Sequence, residues 1–197
     1  MKRIAILLFD EVEVLDFAGP FEVFSVAARI NDPQHPAFEV VTVATKTPIS
    51  ARGGLQVIPH HLLADCPPLD ILLVPGGWGT RPLMGDEALL EWLATRAQEV
   101  ELLLSVCTGS LLLGKAGLLD GLRATTHHSA LDLLRRTAPA VTVDETARFV
   151  DNGRIITSAG IAAGIDMALH VVASLLGEAH ARATAEYMEY PWQATTA

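Results

Sequence analysis

Basic residues and cysteines are scarce in this 197-residue chain. Lys and Arg total 14 against 23 Asp and Glu, a formal net charge of −9. No Lys/Arg cluster offsets that balance, so a face built to neutralise nucleic-acid phosphates is not expected. The two cysteines, Cys66 and Cys107, do not make a disulfide framework. They fit a reducing cytosol. Long uninterrupted apolar runs are missing too. The N-terminal run spans Ile4–Phe9 before acids follow, which argues against a signal peptide. The most apolar segment, GIAAGIDMALHVVASLLG, carries Asp166 and His170 and reads as a buried helix. The expectation is a cytoplasmic protein with no membrane partner. No metal or cofactor is expected either. The vicinal pair His127–His128 has no Cys/His/Asp companions at ligand spacing.

Hydrophobic residues, by contrast, make up 50% of the chain. At this length they suffice for a packed core. One domain over residues 1–190 is expected, with 191–197 as a tail. RIAILLF (3–9), FEVVTVAT (38–45), LDILLVPGG (69–77) and VELLLSV (100–106) read as strands, mostly apolar throughout and therefore covered on both faces. Helical spacing falls at 19–31, 86–99, 110–119, 129–138, 161–177 and over AHARATAEYMEY (179–190). Pro20 suits a first turn, Asp86 and Ser129 suit caps, and Gly177 suits an end. Gly53-Gly54 and Asn152-Gly153 each sit between β-prone pieces, the pattern of hairpins. RATTH (123–127) reads as a short strand. Alternating strands and helices predict an α/β fold: a flavodoxin-like three-layer α/β/α sandwich with a mostly parallel sheet and a small β-hairpin.

In such a sheet, ligand sites lie beyond the carboxyl ends of the strands. Four segments follow predicted strands: DEVEVLDFAGP, PGGWG, CTGS and SAGIAAG. Cys107 falls at a strand-to-helix turn, where the helix starting near Thr108 would aim N–H groups at the sulfur and favour thiolate. The other reading is a small core residue. Gly76 and Gly77 offer backbone N–H groups to a developing anion, or merely a tight loop. Asp16, between Leu15 and Phe17, is either a helix-entry cap or a carboxyl in an apolar pocket whose pKa rises so that it relays a proton. Glu11 and Glu13 read as solvated loop charges, with Glu11 the nearer candidate. One of His127 and His128 lines the pocket in this reading, and Gly160 and Ile161 border it at a helix start. Cys66, in a Pro-rich turn, reads as structural, and Asp166 and His170 as core or interface residues.

SVCTGSLLLGKAGLLDGLRATTH, with LLFDEVEVLDFAGPFEVF, LLVPGG and TSAGIAAGIDMALHVV in the same order, resembles the ThiJ/PfpI superfamily of glutamine-amidotransferase-like α/β proteins. The likeness runs from Arg3 to about Tyr190. Within the superfamily the chain is most similar to the isonitrile hydratase branch. There the elbow Cys and the Asp of the LDxxGP segment do the chemistry, roles that fall on Cys107 and Asp16. The resemblance also implies a small-molecule substrate and a homodimer, which an apolar C-terminal region with Trp192 would support. Three departures stand out. Peptidase-like members place His after the Cys, where this chain has Thr108. The His-x-Glu pair of glutamine amidotransferases is absent. His128 stands where the hydratase branch usually has Trp. The CTGxxxLxxAGLLxGxxATTH pattern also occurs in the amidotransferase-like domain of AraC-type regulators, whose helix-turn-helix segment would follow this domain. With the sequence ending at residue 197, direct DNA binding is not expected. A ligand- or oxidation-sensing role and glyoxalase-like chemistry on an α-oxoaldehyde are the alternatives to isonitrile hydration.

Overall fold

A computed structural model describes residues 1–30 and 32–193. The chain opens with β1 (Lys2–Leu8), α1 (Val14–Arg29) and β2 (Phe38–Ala44). The short strands β3 (Ile49–Ser50), β4 (Gln56–Val57) and β5 (His61–Leu62) come next. They are followed by β6 (Ile71–Val74), α2 (Thr80–Leu83), α3 (Glu87–Glu99), β7 (Leu102–Val106) and α4 (Gly109–Lys115). Beyond these lie β8 (Arg123–Ala124), α5 (Leu131–Thr137), β9 (Thr142–Val143), β10 (Phe149–Asp151), β11 (Ile155–Ser158), α6 (Ala163–Leu176) and α7 (Glu178–Tyr187).

Seven strands form one sheet in the order β10-β11-β7-β6-β1-β2-β5. Its pairs are parallel except β10 with β11, which close the antiparallel hairpin expected at Asn152-Gly153. The register sets Ile4 beside Ile71 and Leu72 beside Leu103, so apolar side chains stack across the central strands. Ile4–Leu8, Ile71–Val74 and Leu103–Val106 are buried throughout because helices cover both faces. Helices α1, α6 and α7 pack together on one side, and α3, α4 and α5 form the other layer. Each fully buried Leu or Ile contributes roughly 1.5–3 kcal/mol. The expected α/β sandwich is the fold, and β3–β4 is the small hairpin, turning through Gly53 and Gly54 at φ 78° and 84°.

Several local readings are corrected. Helix α1 starts at Val14 rather than residue 19, so Asp16 lies inside its first turn and Glu13 holds the cap position. Pro20 is therefore an interior proline. It removes the N–H that would bond the Asp16 carbonyl, yet φ near −65° still suits a helix. The expected end at Asn31 lies outside the described residues. Ser129 is not a cap. The His127 ring caps a 3-10 turn over His128–Ala130 by accepting the Ser129 N–H at 3.2 Å. Asp86 does cap α3, accepting from the Leu89 N–H at 3.0 Å. β5, β9 and α2 are too short to leave a periodic signature, and the strand expected at 123–127 spans two residues. Trp192 packs against this chain's own core, with the Arg182 guanidinium 5.8 Å from its ring. The rest of the expected tail, 194–197, lies outside the described residues.

Candidate active site

β11, β7, β6 and β1 are consecutive and parallel. The four segments marked in the sequence therefore meet at one rim. Cys107 follows β7 with φ 56°, left-handed backbone that L side chains rarely adopt. Hydrogen bonds hold it there. Its N–H donates to the Ser158 carbonyl at 3.1 Å. Its carbonyl accepts from Ser110 Oγ at 3.1 Å and Thr126 Oγ1 at 2.9 Å. Gly109 lets α4 start hard against β6, since a Cβ there would lie 2.0 Å from the Val74 carbonyl oxygen. The elbow thus turns the sulfur out of the sheet.

Asp16 is fully buried, and its carboxyl lies close enough to the Cys107 thiol for each group to shift the other's pKa. Oδ2 accepts the Gly76 N–H at 3.1 Å, while Oδ1 is buried with no donor of its own. Burial pushes this carboxyl up to about 7, against the opposing pull of the neighbouring Cys107 thiol and the Gly76 N–H. Burial also pushes the Cys107 thiol well up, and an ionised Asp16 would push it further. The thiolate expected from the helix N-terminus is therefore corrected. The Thr108 N–H does favour the charged sulfur, but desolvation and the neighbouring carboxylate outweigh it. Two negative charges in this space repel, so thiol and carboxyl titrate as one coupled pair.

The anion-hole reading of the glycines is corrected as well. The Gly76 N–H is used by Asp16. The Gly77 N–H donates to Thr108 Oγ1 at 3.0 Å, and that hydroxyl donates back to the Gly77 carbonyl at 3.2 Å. Both glycines serve close packing instead. A Cβ on Gly76 would meet Thr108 N at 2.5 Å and Asp16 Oδ2 at 2.8 Å. Gly77, at φ 130°, would meet the Glu11 carbonyl at 2.2 Å. The backbone donor that faces the sulfur is Thr108.

Cys107 is 5% exposed, yet it lines a cavity of about 210 Å³. Gly77, Thr108, His127 and Ile161 line that cavity. Gly160 contributes by its missing side chain: a Cβ there would be 2.2 Å from His127 Cδ2 and 3.2 Å from the Cys107 sulfur. His127 Nδ1 accepts from the Ser129 N–H, which leaves the ring proton on Nε2. Desolvation, with His128 and Arg81 nearby, lowers its pKa and keeps it neutral. His128 is exposed and packs on the His127 ring at 4.3 Å between centroids. Glu11, the nearer acidic candidate, is exposed and outside the lining, whereas Glu13 is part of it.

Arg52, Trp78, Arg81 and Ser129 also line the cavity and escaped the sequence reading. Trp78 lies within the PGGWG segment and Arg81 two residues after it. Arg52 stands in the β3–β4 turn, far away in sequence. Among the described residues, no group of three or more His, Cys, Asp or Glu is placed to hold a metal. No helix among them is long and apolar enough to cross a membrane.

Fold and site together define a parallel α/β domain with a cysteine at a strained strand–helix elbow, backed by a buried carboxyl. The DJ-1/PfpI family pattern matches residues 2–174, and the chain belongs to that family. Isonitrile hydratase of Pseudomonas putida is 41% identical over 189 residues, 95% of this chain and 78% of that protein. The HTH-type transcriptional regulator CdhR of Pseudomonas aeruginosa is 33% identical over 172 residues, 87% of this chain. This chain spans 50% of that regulator's length. Among solved structures, a ThiJ/PfpI family protein from Pseudomonas syringae superposes with a TM-score of 0.86 at 32% identity, covering 99% of this chain and 77% of that one.

Proposed function

We propose that this protein hydrates an isonitrile to an N-substituted formamide, with Cys107 as nucleophile and Asp16 as its proton partner. The contact between the Cys107 thiol and a carboxyl raised to about 7 carries this reading. The likeness to isonitrile hydratase supports it. A buried thiol is a poor nucleophile until its proton leaves, and a carboxyl poised near neutrality is suited to take that proton.

The steps balance as follows. The sulfur bonds to the terminal carbon of R–N≡C as Asp16 takes the thiol proton. Asp16 then delivers that proton to the same carbon, giving the thioimidate R–N=CH–S–Cys107. Water adds to this carbon. One of its protons goes to nitrogen through Asp16 or His127, and the other returns to sulfur as the C–S bond breaks. The product is R–NH–CHO, and the thiol is restored. The Thr108 N–H steadies charge on the sulfur in the charged stages. His127, neutral with its proton on Nε2, faces the cavity where water would enter.

The test is a turnover screen with alkyl and aryl isonitriles, read as formamide appearance, beside the Cys107→Ala variant. Formamide formation that requires Cys107 supports the proposal, and full turnover by the variant refutes it. The likeness to a transcriptional regulator favours ligand sensing as the second reading. Tight ligand binding without turnover of isonitriles or α-oxoaldehydes would select it. We also propose that the protein acts as a homodimer in the cytoplasm, checked by sedimentation and by fractionation.

A further inference from the structure

The cavity mouth carries positive charge in a chain whose formal net charge is −9. Among the described residues lining it, Arg52 and Arg81 face one carboxylate, Glu13. Both guanidiniums gather at Trp78, Arg81 with Cζ 4.5 Å and Arg52 with Cζ 5.9 Å from the ring centroid. Trp78 is 57% exposed, whereas Cys107 is 5% exposed. The sulfur therefore forms the floor, and the indole with its two cations forms the entrance.

Neither guanidinium is used up. Arg81 donates through Nη1 to the Gly77 carbonyl at 3.0 Å and weakly to Thr80 Oγ1 at 3.4 Å. Its Nε and Nη2 have no hydrogen-bond acceptor among the described residues. Arg52 meets Glu13 as a loose ion pair, Nε to Oε2 at 3.5 Å, and makes no side-chain hydrogen bond among the described residues. Guanidinium donors left open beside a cavity match a carboxylate, which can accept two parallel N–H bonds. The exposed indole offers a flat apolar surface for whatever links that carboxylate to the reacting carbon. His127 is held neutral and adds no charge.

We propose that the site selects isonitriles carrying a carboxylate at the end remote from the isonitrile carbon, held by Arg52 and Arg81 while Trp78 covers the hydrocarbon between. The proposal rests on the isonitrile reading for its reacting end and on the entrance alone for its charged end.

Two arms test it. In the first, isocyanoacetate and para-isocyanobenzoate are each compared with their methyl esters. The acid is expected to show a KM about tenfold below the ester at low salt, with kcat similar, because the contact is made equally in ground and transition states. The advantage should shrink as salt rises, and the acid-to-ester ratio should collapse in Arg52→Gln. Esters used as well as acids, or a ratio unchanged in Arg52→Gln, would overturn the carboxylate site. The second arm needs no turnover. Benzoate and benzamide are titrated calorimetrically into Cys107→Ala and Cys107→Ala/Arg52→Gln. Benzoate binding about tenfold tighter in the first, with no preference in the second, supports the site. Equal binding of benzoate and benzamide overturns it whatever the kinetics show. If benzoate binds as expected but neither acid nor ester isonitrile is turned over, the isonitrile part falls while the carboxylate site stands.

Discussion

The two ends of the parallel sheet are built on opposite principles. At the amino ends of the strands, charged side chains have their partners. Lys2 pairs with Glu101, and Arg3 Nε lies 2.7 Å from Glu39. The Arg3 N–H donates to Asp70 at 2.6 Å, and Arg154 bonds the Ala97 and Val100 carbonyls at the end of α3. At the carboxyl ends, the local rules are broken. Cys107 holds a left-handed φ, an oxygen of Asp16 is buried without a donor, and thiol and carboxyl both sit above their ordinary pKa values. Such strain persists only where the surroundings impose it, and here those surroundings are glycines that let backbones touch. One end keeps its charges paired, and the other keeps strain and an unpaired buried oxygen.

Substitutions at the two edges should therefore differ in kind. The largest effect belongs to Cys107→Ala, expected to cut kcat/KM for an isonitrile by about four orders of magnitude or more while the protein still unfolds cooperatively. Asp16→Asn should follow, lowering kcat by about two to four orders of magnitude, the range for a lost proton-transfer group.

Asp16 also makes stability depend on pH. Its folded pKa, about 7, exceeds the ordinary 3.8, so the native state binds a proton that the unfolded state releases between those values. Below 3.8 both states are protonated and nothing is lost. Stability should fall as pH climbs from there to about 7 and then level off. Denaturant titrations across this window should show wild type losing on the order of 4 kcal/mol relative to Asp16→Asn. A gap that does not vary with pH would place the ionisation elsewhere.

Gly109→Ala ranks next, since its Cβ would collide with the Val74 carbonyl. A loss of about 3 kcal/mol or more in denaturant titration is expected. Smallest of all is removal of the Lys2–Glu101 pair at the other edge. A double alanine variant should stay within about 1 kcal/mol of wild type, as exposed pairs do.

The sheet was legible because IAILLF, ILLV and LLL are short unbroken apolar runs bounded by polar or turn residues, the pattern of strands covered on both faces. Asp86 and Asn152-Gly153 were legible because their roles are local. Cys107 and Asp16 were legible from their places in segments after predicted strands and from the ThiJ/PfpI resemblance, and His127 and Ile161 from the loops they occupy. Two things were not legible. The sequence places Asp16 before α1 because Pro20 suits a first turn, and an interior proline leaves the same letters. The ionisation of Cys107 is not legible, because the helix N-terminus is visible in sequence, whereas desolvation and the carboxyl behind the sulfur are properties of packing. Arg52 was invisible for the same reason: residues 52 and 107 meet only once β1, β6 and β7 are side by side.

The central claim is that Cys107 and Asp16 titrate as one pair. The most direct measurement is the rate of Cys107 alkylation by iodoacetamide against pH, in wild type and in Asp16→Asn. The pair predicts a rate that rises through an inflection near 7 in wild type, where Asp16 becomes able to accept the thiol proton, and loss of that inflection in Asp16→Asn. The same inflection in both proteins would contradict it.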